Sequence, residues 1–219
     1  MKFTKDEIRS AMLLYAVTDR AWLGARTLPE VAEEVLQNGA TFLQVREKGM
    51  DHAAFLAEAG ELKALAGRYH VPFVVNDSVE VALECGADGV HVGQSDIQGR
   101  DIRALIGPDR ILGISANTVD TALAAQKAGA DYIGVGAVFG TTTKKDAKNL
   151  SVEQLRAICD AVDIPVVAIG GIGAENLLQL RGSGVDGVAV VSAIFAQPDP
   201  GAAAKRLRAL AEELVASHG

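Results

Sequence analysis

The five residues G-A-D-Y-I, Gly129 to Ile133, carry a motif that recurs along the chain. Similar segments begin at Gly39 (G-A-T-F-L), Gly86 (G-A-D-G-V) and Gly184 (G-V-D-G-V). In each segment, a glycine that can end a helix in the left-handed conformation stands just before a β-rich run. The repeat predicts that one helix-to-strand corner is used at alternate strands of a repeated architecture.

Eight β-rich runs have the length of buried strands, and segments with helical spacing, such as Leu28–Gln37 and Val152–Ala161, separate most of them. The runs cover residues 13–18, 41–46, 72–76, 89–93, 110–115, 132–139, 164–170 and 187–192. Such alternation predicts parallel strands joined by helical crossovers. Helix N-caps are predicted at Thr27, Asp51 and Ser151, and helix ends at Asn38, Cys85 and Ala128, each followed by glycine.

Eight strands in 219 residues without a linker predict an α/β fold, a single (βα)8 TIM barrel that spans residues 1–219 as one catalytic domain. The alternative is an open doubly wound sheet, but no G-x-G-x-x-G follows the first strand. Residues 1–12 place Ile8 and Met12 among charges at helical spacing, which predicts a short N-terminal helical extension. The sequence leaves open whether this extension closes the bottom of the barrel.

Composition narrows the class of partner. The formal net charge is −7, which argues against non-specific binding to nucleic acid or membranes and favours small-molecule substrates. No run of about 18 apolar residues and no apolar signal core is present, so a cytoplasmic protein is expected. Cys85 and Cys159 are expected to be small semi-buried side chains rather than a disulfide or a metal site. The oligomeric state is left open, and a homo-oligomer is allowed.

The second strand is predicted to end in a run of charged residues. Its end reads Q-V-R-E-K, Gln44 to Lys48. In a TIM barrel the carboxyl ends of the strands build the active site. Residues two apart share a face, so Gln44, Arg46 and Lys48 are predicted to point into the mouth. An inward arginine on a strand needs an anionic partner; the alternative is an ordinary solvated cluster of loop charges.

Two aspartates follow the third and fourth strands. Asp77 comes after Asn76, and Asp96 follows the G-V-H-V-G run. Mg²⁺ commonly binds one or two carboxylates together with water and substrate phosphate, so this pair predicts a Mg²⁺ site. The alternative for either aspartate is a helix cap, above all for Asp77. His91, inside the fourth strand, is expected to be a satisfied core residue and receives no role.

The later strands end in small and hydroxyl residues. Ser115 ends the fifth strand, although it could also be a cap. The stretch Gly134 to Asp146, G-V-G-A-V-F-G-T-T-T-K-K-D, turns from an apolar strand into hydroxyls and ammonium groups, which indicates an anion, above all a phosphate. The alternative is a solvated lysine loop. Glycines at 170–171 and the small residues at 191–193 allow backbone N–H groups to approach a phosphate monoester.

Taken in order, these motifs resemble the thiamine-phosphate synthase (thiamine-phosphate pyrophosphorylase) family. Any one of them is a weak signal, but the ordered set is specific and covers nearly the whole chain. The matching segments are residues 15–19 (Y-A-V-T-D), 44–48 (Q-V-R-E-K), 76–77 (N-D), 89–96 (G-V-H-V-G-Q-S-D), 113–115 (G-I-S), 141–146 (T-T-T-K-K-D), 170–172 (G-G-I) and 191–192 (V-S).

The resemblance implies a transferase that joins hydroxymethylpyrimidine diphosphate to a thiazole phosphate and releases pyrophosphate, with loss of CO2 when the thiazole is carboxylated. By matching position, the pyrimidine diphosphate would be held by Gln44, Val45, Arg46, Glu47, Lys48, Asn76, Ser115 and Lys144. Asp77 and Asp96 would hold Mg²⁺. The thiazole phosphate would be held by Thr141, Thr142, Thr143, Gly171, Val191 and Ser192.

The expected mechanism is a dissociative substitution that needs no protein nucleophile, and no convincing Ser/His/Asp or Cys/His set is present. Arg46, Lys48, Lys144 and Ser115 are the expected catalytic residues. Two alternatives are kept: a thiazole tautomerase on the same fold, and a non-catalytic protein that binds a thiamine precursor. Tautomerases are thought to use a histidine two residues after the Ser115 position, where this chain has Asn117.

Overall fold

The computed structural model describes residues 3–97, 99–140 and 150–217. They form a closed barrel of eight parallel strands in chain order, with β1 paired to β8. The strands are β1 Leu14–Val17, β2 Phe42–Val45, β3 Phe73–Asn76, β4 Gly89–Val92, β5 Ile111–Ala116, β6 Tyr132–Val135, β7 Val166–Ile169 and β8 Gly187–Val190. The predicted (βα)8 barrel is confirmed, and the open sheet is excluded because β1 and β8 are neighbours.

Helices surround the barrel. They are α1 Lys5–Ala11, α2 Leu28–Gln37, α3 His52–Arg68, α4 Val79–Glu84, α5 Ile102–Ile106, α6 Val119–Lys127, α7 Val152–Ala161, α8 Ser192–Phe195 and α9 Pro200–Ala216, with short 3-10 helices at Arg20–Trp22 and Leu177–Leu180. The predicted N-caps Thr27, Asp51 and Ser151 are confirmed, since each side chain accepts a backbone N–H from the first turn. Glycines with positive φ follow the predicted helix ends.

The sixth strand is shorter than its apolar pattern predicts. β6 ends at Val135 rather than at residue 139. The N–H groups of Val138 and Phe139 nevertheless donate to the carbonyl oxygens of Ile169 and Gly170. An apolar run cannot distinguish a regular strand from an extended loop that keeps contact with the next strand, which explains the error.

The four repeated corners share one hydrogen-bond pattern. At each corner a side chain accepts the N–H of a residue at the start of the preceding strand, and the main-chain N–H of the corner residue donates to the carbonyl of that same residue. The side-chain contacts are Thr41 Oγ1 with Leu14 N (2.8 Å), Asp88 Oδ2 with Phe73 N (3.0 Å), Asp131 Oδ2 with Leu112 N (2.8 Å) and Asp186 Oδ2 with Val166 N (2.8 Å). The predicted repeat of one corner at alternate strands is confirmed.

Helix α1 closes the bottom of the barrel. Ile8 and Met12 are fully buried and belong to the same apolar cluster as the interior residues Tyr15, Phe42 and Tyr132. The N-terminal extension is therefore part of the core.

Both cysteines are partly buried free thiols, as expected. None of the helices in the described ranges is long and apolar enough to cross a membrane.

Candidate active site

The polar residues predicted at the strand ends lie at the carboxyl end of the barrel. Gln44 is in β2 and is almost fully buried, Asn76 is the last residue of β3, and Ser115 is near the end of β5. Asp77 and Asp96 follow β3 and β4. Because the strands are parallel and the barrel is closed, all of these positions border the same mouth.

The segment after β2 is held against β1. Thr18 N donates to the Gln44 carbonyl (2.9 Å), and Arg46 N donates to Thr18 Oγ1 (3.0 Å). Arg46 is half-buried and Lys48 is exposed. These bonds fix the backbone that carries both cations at the rim.

Glu47, between those two cations, is turned into the protein. Its side chain is only 4% exposed, and its Oε1 lies 3.2 Å from Arg20 Nε. Arg20 also pairs with Glu58 of α3. Burial, reinforced by the neighbouring Glu58 carboxylate, raises the pKa of the Glu47 carboxyl. The Glu47 carboxylate is thus already engaged within the protein, and any contact of Glu47 with a ligand would come from its backbone, as would that of the buried Val45.

Asp77 is not the cap of the helix that follows it. Ser78 takes that position, with its Oγ accepting Val81 N at 3.2 Å. Asp77 has a positive φ of 63°, and its N–H donates to the His91 carbonyl of β4 at 2.8 Å. Asp96 Oδ2 accepts the N–H of Gly93 at 2.8 Å, while helix α5 is capped by Asp101. The cap alternatives for both aspartates are therefore excluded.

Asp77 and Asp96 carry carboxylate oxygens, the type of donor that a hard cation prefers. No group of three or more His, Cys, Asp or Glu side chains with metal-binding geometry occurs in the described part of the chain. Asp77 and Asp96 are two carboxylates and do not make up such a group by themselves. Mg²⁺ is suited to such a set, because it keeps several waters and takes further oxygens from substrate phosphate.

Ser115 is likewise not a helix cap, since Thr118 caps α6. Its Oγ instead lies 3.0 Å from His91 Nε2, and His91 Nδ1 lies 3.0 Å from the Tyr132 hydroxyl. His91 is thus a satisfied interior residue, as expected, although nothing in the sequence indicated that it contacts Ser115. Tyr15 and Tyr132 continue this network, and the sequence interpretation missed both. Their inward positions on β1 and β6 were the available signal.

On the opposite side of the mouth, two backbone segments pack closely at Gly171. Gly171 follows β7 with φ 65°, and a Cβ at this position would lie 2.1 Å from the Gly140 carbonyl oxygen. Asn176, which the sequence interpretation missed, donates from Nδ2 to the Gly171 carbonyl at 2.8 Å. Val191 is half-buried, and the exposed Ser192 begins α8.

Thr141, Thr142, Thr143 and Lys144 lie outside the described residues. The residues on either side of this segment are held at β6 and β7. Phe139 N donates to the Gly170 carbonyl at 3.0 Å, and Leu150 N donates to the Ala137 carbonyl at 2.8 Å. The described residues on both sides of positions 141–149 therefore lie at the wall formed by β6 and β7.

Asn117, where tautomerases are thought to have histidine, is exposed between β5 and α6. Its backbone N–H donates to Thr121 Oγ1 at 3.2 Å. This contact belongs to the start of α6.

Comparisons with a family model and with curated proteins point to the same family. The family model described as thiamine monophosphate synthase matches residues 14–194. The thiamine-phosphate synthase of Ruminiclostridium cellulolyticum is 50% identical over 194 residues, which cover 89% of this chain and 92% of that protein. The thiamine-phosphate synthase of Clostridium tetani is 46% identical over 186 residues, which cover 85% of this chain and 89% of that protein.

A solved structure agrees with the sequence matches. The thiamine phosphate pyrophosphorylase from Pyrococcus furiosus superimposes with a TM-score of 0.87 at 38% identity. The match covers 95% of this chain and 99% of that one.

Proposed function

Because the chain belongs to the thiamine monophosphate synthase family, a family of transferases in thiamine biosynthesis, we propose the following reaction for it. Hydroxymethylpyrimidine diphosphate and a thiazole phosphate bind side by side in the mouth of the barrel. The thiazole nitrogen replaces pyrophosphate at the pyrimidine methylene carbon. The products are thiamine phosphate and pyrophosphate.

One observation carries this proposal. The described residues that match the family's motifs, from Gln44 on β2 to Ser192 after β8, border a single mouth although they are scattered over about 150 residues of sequence. Cationic and acidic residues lie on the side of β2 to β4, whereas glycines and small residues lie on the side of β7 and β8. This division matches one highly charged substrate and one phosphate monoester.

The pyrimidine diphosphate is assigned to the side of β2 to β5. The C–O bond to pyrophosphate breaks first, and the electron-rich aminopyrimidine stabilises the methylene cation that results. Arg46 and Lys48 at the rim, together with Lys144, stabilise the charge that develops on the leaving pyrophosphate. Gln44, Asn76 and Ser115 orient the pyrimidine so that the thiazole nitrogen meets the cation at attack distance.

Asp77 and Asp96 are the residues that would hold Mg²⁺. When bound, the ion supplies charge neutralisation at the diphosphate oxygens. Without a bound cation, the two carboxylates repel the diphosphate, so they favour the cation-bound form of the substrate.

The thiazole phosphate is assigned to Gly171, Val191, Ser192 and the threonines Thr141 to Thr143. Support comes from Gly140, the last described residue before the threonines, whose carbonyl oxygen lies against Gly171. Backbone N–H groups at glycines and helix starts are suited to bind a phosphate monoester.

The two alternatives receive no support. The relatives that match most of the chain carry the synthase name. Tautomerases are thought to use a histidine two residues after the Ser115 position, and the exposed Asn117 at that position carries no acid–base group.

A cytoplasmic location belongs to the same proposal. Both cysteines are free thiols, which suits a reducing compartment. We propose that residues 1–219 act as one catalytic unit.

The test is a product assay with the purified protein, Mg²⁺ and both substrates, in which thiamine phosphate and pyrophosphate are quantified together. Equal amounts of both products are expected, and EDTA should abolish them. Lys144→Ala is expected to lower kcat about 100-fold because one stabilising donor is lost. Lys127→Ala, which removes an exposed lysine of α6, is the matched control and should keep normal turnover.

Isomerisation of the thiazole without release of pyrophosphate would overturn the synthase proposal. Binding of substrates without turnover would do the same. Near-normal turnover of Lys144→Ala would remove only Lys144 from the mechanism.

A further inference from the structure

A chain of hydrogen bonds crosses the interior of the barrel between two proposed pyrimidine contacts. It runs from Gln44 Nε2 to the Tyr15 hydroxyl (2.5 Å), on to the Tyr132 hydroxyl (2.8 Å), then to His91 Nδ1 (3.0 Å), and from His91 Nε2 to Ser115 Oγ (3.0 Å). We propose that Tyr15, Tyr132 and His91 are positioning residues that fix the two ends of this chain for the reaction. The inference rests on the proposed roles of Gln44 and Ser115.

The middle of the chain is shielded from water. Tyr15 is 1% exposed and Tyr132 is 0% exposed. Their rings pack against Phe42 at centroid distances of 4.4 and 5.5 Å. Burial raises the pKa of both phenols, so each keeps its proton over the ordinary pH range. Breaking one of these hydrogen bonds would leave a buried hydroxyl without a partner, which is unfavourable, so the chain of hydrogen bonds stays intact.

The chain has a direction of hydrogen-bond donation. The Gln44 amide nitrogen can only donate, so the Tyr15 oxygen accepts, and the Tyr15 proton goes to Tyr132 when every hydroxyl both donates and accepts. The Tyr132 proton then goes to His91 Nδ1, which places the imidazole proton on Nε2 and directs it at Ser115 Oγ. Ser115 therefore accepts from His91 and keeps its own proton to donate into the mouth.

Two glycines make room for this arrangement. A Cβ on Gly113 would lie 2.3 Å from the Tyr132 hydroxyl and 2.5 Å from His91 Nδ1, and a Cβ on Gly134 would lie 3.2 Å from His91 Cε1. Neither glycine has a positive φ, so space rather than backbone conformation explains them. The contact between Tyr132 and His91 thus occupies a volume that two neighbouring strands leave empty.

A double-mutant cycle tests whether the chain acts through Ser115. Tyr132→Phe removes one hydroxyl and keeps the ring. It should lower kcat about 3- to 10-fold, the usual effect of one lost hydrogen bond. In a Ser115→Ala background the same change should cost less, because the group being positioned is already absent. A merely structural role would give the same fold loss in both backgrounds.

Tyr69→Phe is the matched control. The Tyr69 hydroxyl is also hydrogen-bonded, to Glu33 and Gln37, but it lies before β3 at the opposite end of the barrel. This variant should keep normal kcat. Equal losses from Tyr132→Phe in the two backgrounds would overturn the inference, whereas normal activity of Ser115→Ala would instead overturn the proposed site.

Tyr15→Phe provides a second, independent test of the inference if Tyr132→Phe does not fold. It removes the partner of the Gln44 amide but leaves the contact between Tyr132 and His91. KM for the pyrimidine diphosphate should rise about 3- to 10-fold, and KM for the thiazole phosphate should not change. An equal change in both KM values, or no change in either, would contradict the positioning role.

Discussion

At the scale of single residues, two glycines with the same backbone conformation have very different surroundings. Gly171 (φ 65°) and Gly182 (φ 77°) both lie in the left-handed region. A Cβ at Gly171 would meet the Gly140 carbonyl oxygen at 2.1 Å, whereas nothing lies within 4 Å of a Cβ at Gly182. Alanine variants at these two positions therefore distinguish the effect of backbone strain from the effect of displacing the loop at the proposed phosphate site.

We predict that Gly182→Ala costs about 1–2 kcal/mol of unfolding free energy, from strain alone, and leaves the kinetics unchanged. Gly171→Ala should show that strain and, in addition, raise KM for the thiazole phosphate about 10- to 100-fold, because the loop must move. Steady-state kinetics with each substrate varied in turn measures both effects. Equal kinetics for the two variants would remove Gly171 from the phosphate site.

At the scale of elements, the repeated corners tie helices to strand starts through partly buried charges. Asp88 pairs with Lys63 (2.7 Å), Asp131 with Arg103 (2.6 Å) and Asp186 with Arg9 (2.6 Å). Because each aspartate also accepts a strand N–H, its loss leaves both a cation and a backbone donor without this partner. Thr41 joins a helix to a strand start in the same way but without a charge. Its hydroxyl accepts the N–H of Leu14 and donates to the Ala11 carbonyl.

We predict that Asp131→Ala lowers the free energy of unfolding by about 2–4 kcal/mol, as expected when one partner of a poorly hydrated ion pair is removed. The matched control is Asp160→Ala, which breaks the exposed pair with Arg156 and should cost less than about 0.5 kcal/mol. Urea unfolding of both variants measures the difference. Similar costs at the two positions would show that the corners do not hold the barrel together.

At the scale of the whole molecule, the two ends of the barrel have separate tasks. Helix α1 fills the bottom with apolar side chains, while the substrates are proposed to bind at the mouth. Ile8 is 0% exposed and packs in the interior cluster together with Tyr15. Changes in α1 should therefore affect the free energy of unfolding far more than they affect catalysis.

We predict that Ile8→Ala lowers the free energy of unfolding by about 2–4 kcal/mol through the cavity it creates. Both KM values should stay within about 2-fold of normal, because Ile8 fills the bottom of the barrel and takes no part in the hydrogen bonds proposed to orient the substrates. Leu105→Ala, at a position 49% exposed, is the control and should cost less than about 0.5 kcal/mol. A large change in KM for Ile8→Ala would show that the two ends are coupled.

The sequence by itself determined the local structure: the alternation of strand and helix, the caps Thr27, Asp51 and Ser151, and the positions of the four helix-to-strand corners. These features depend on residues a few positions apart, so their spacing records them. The barrel rule then placed the proposed site residues at the strand ends. Those site assignments stay predictions, and Thr141 to Lys144 lie outside the described residues.

Only the tertiary structure decided which side chains meet. Closing the barrel brings together Tyr15 and Tyr132, 117 positions apart, and joins His91 to Ser115, 24 positions apart. It also turns Glu47 away from its cationic neighbours and towards Arg20. The physical reason is that local propensity and periodicity fix the element and the face of a residue, whereas its partner depends on the stagger at which eight strands close.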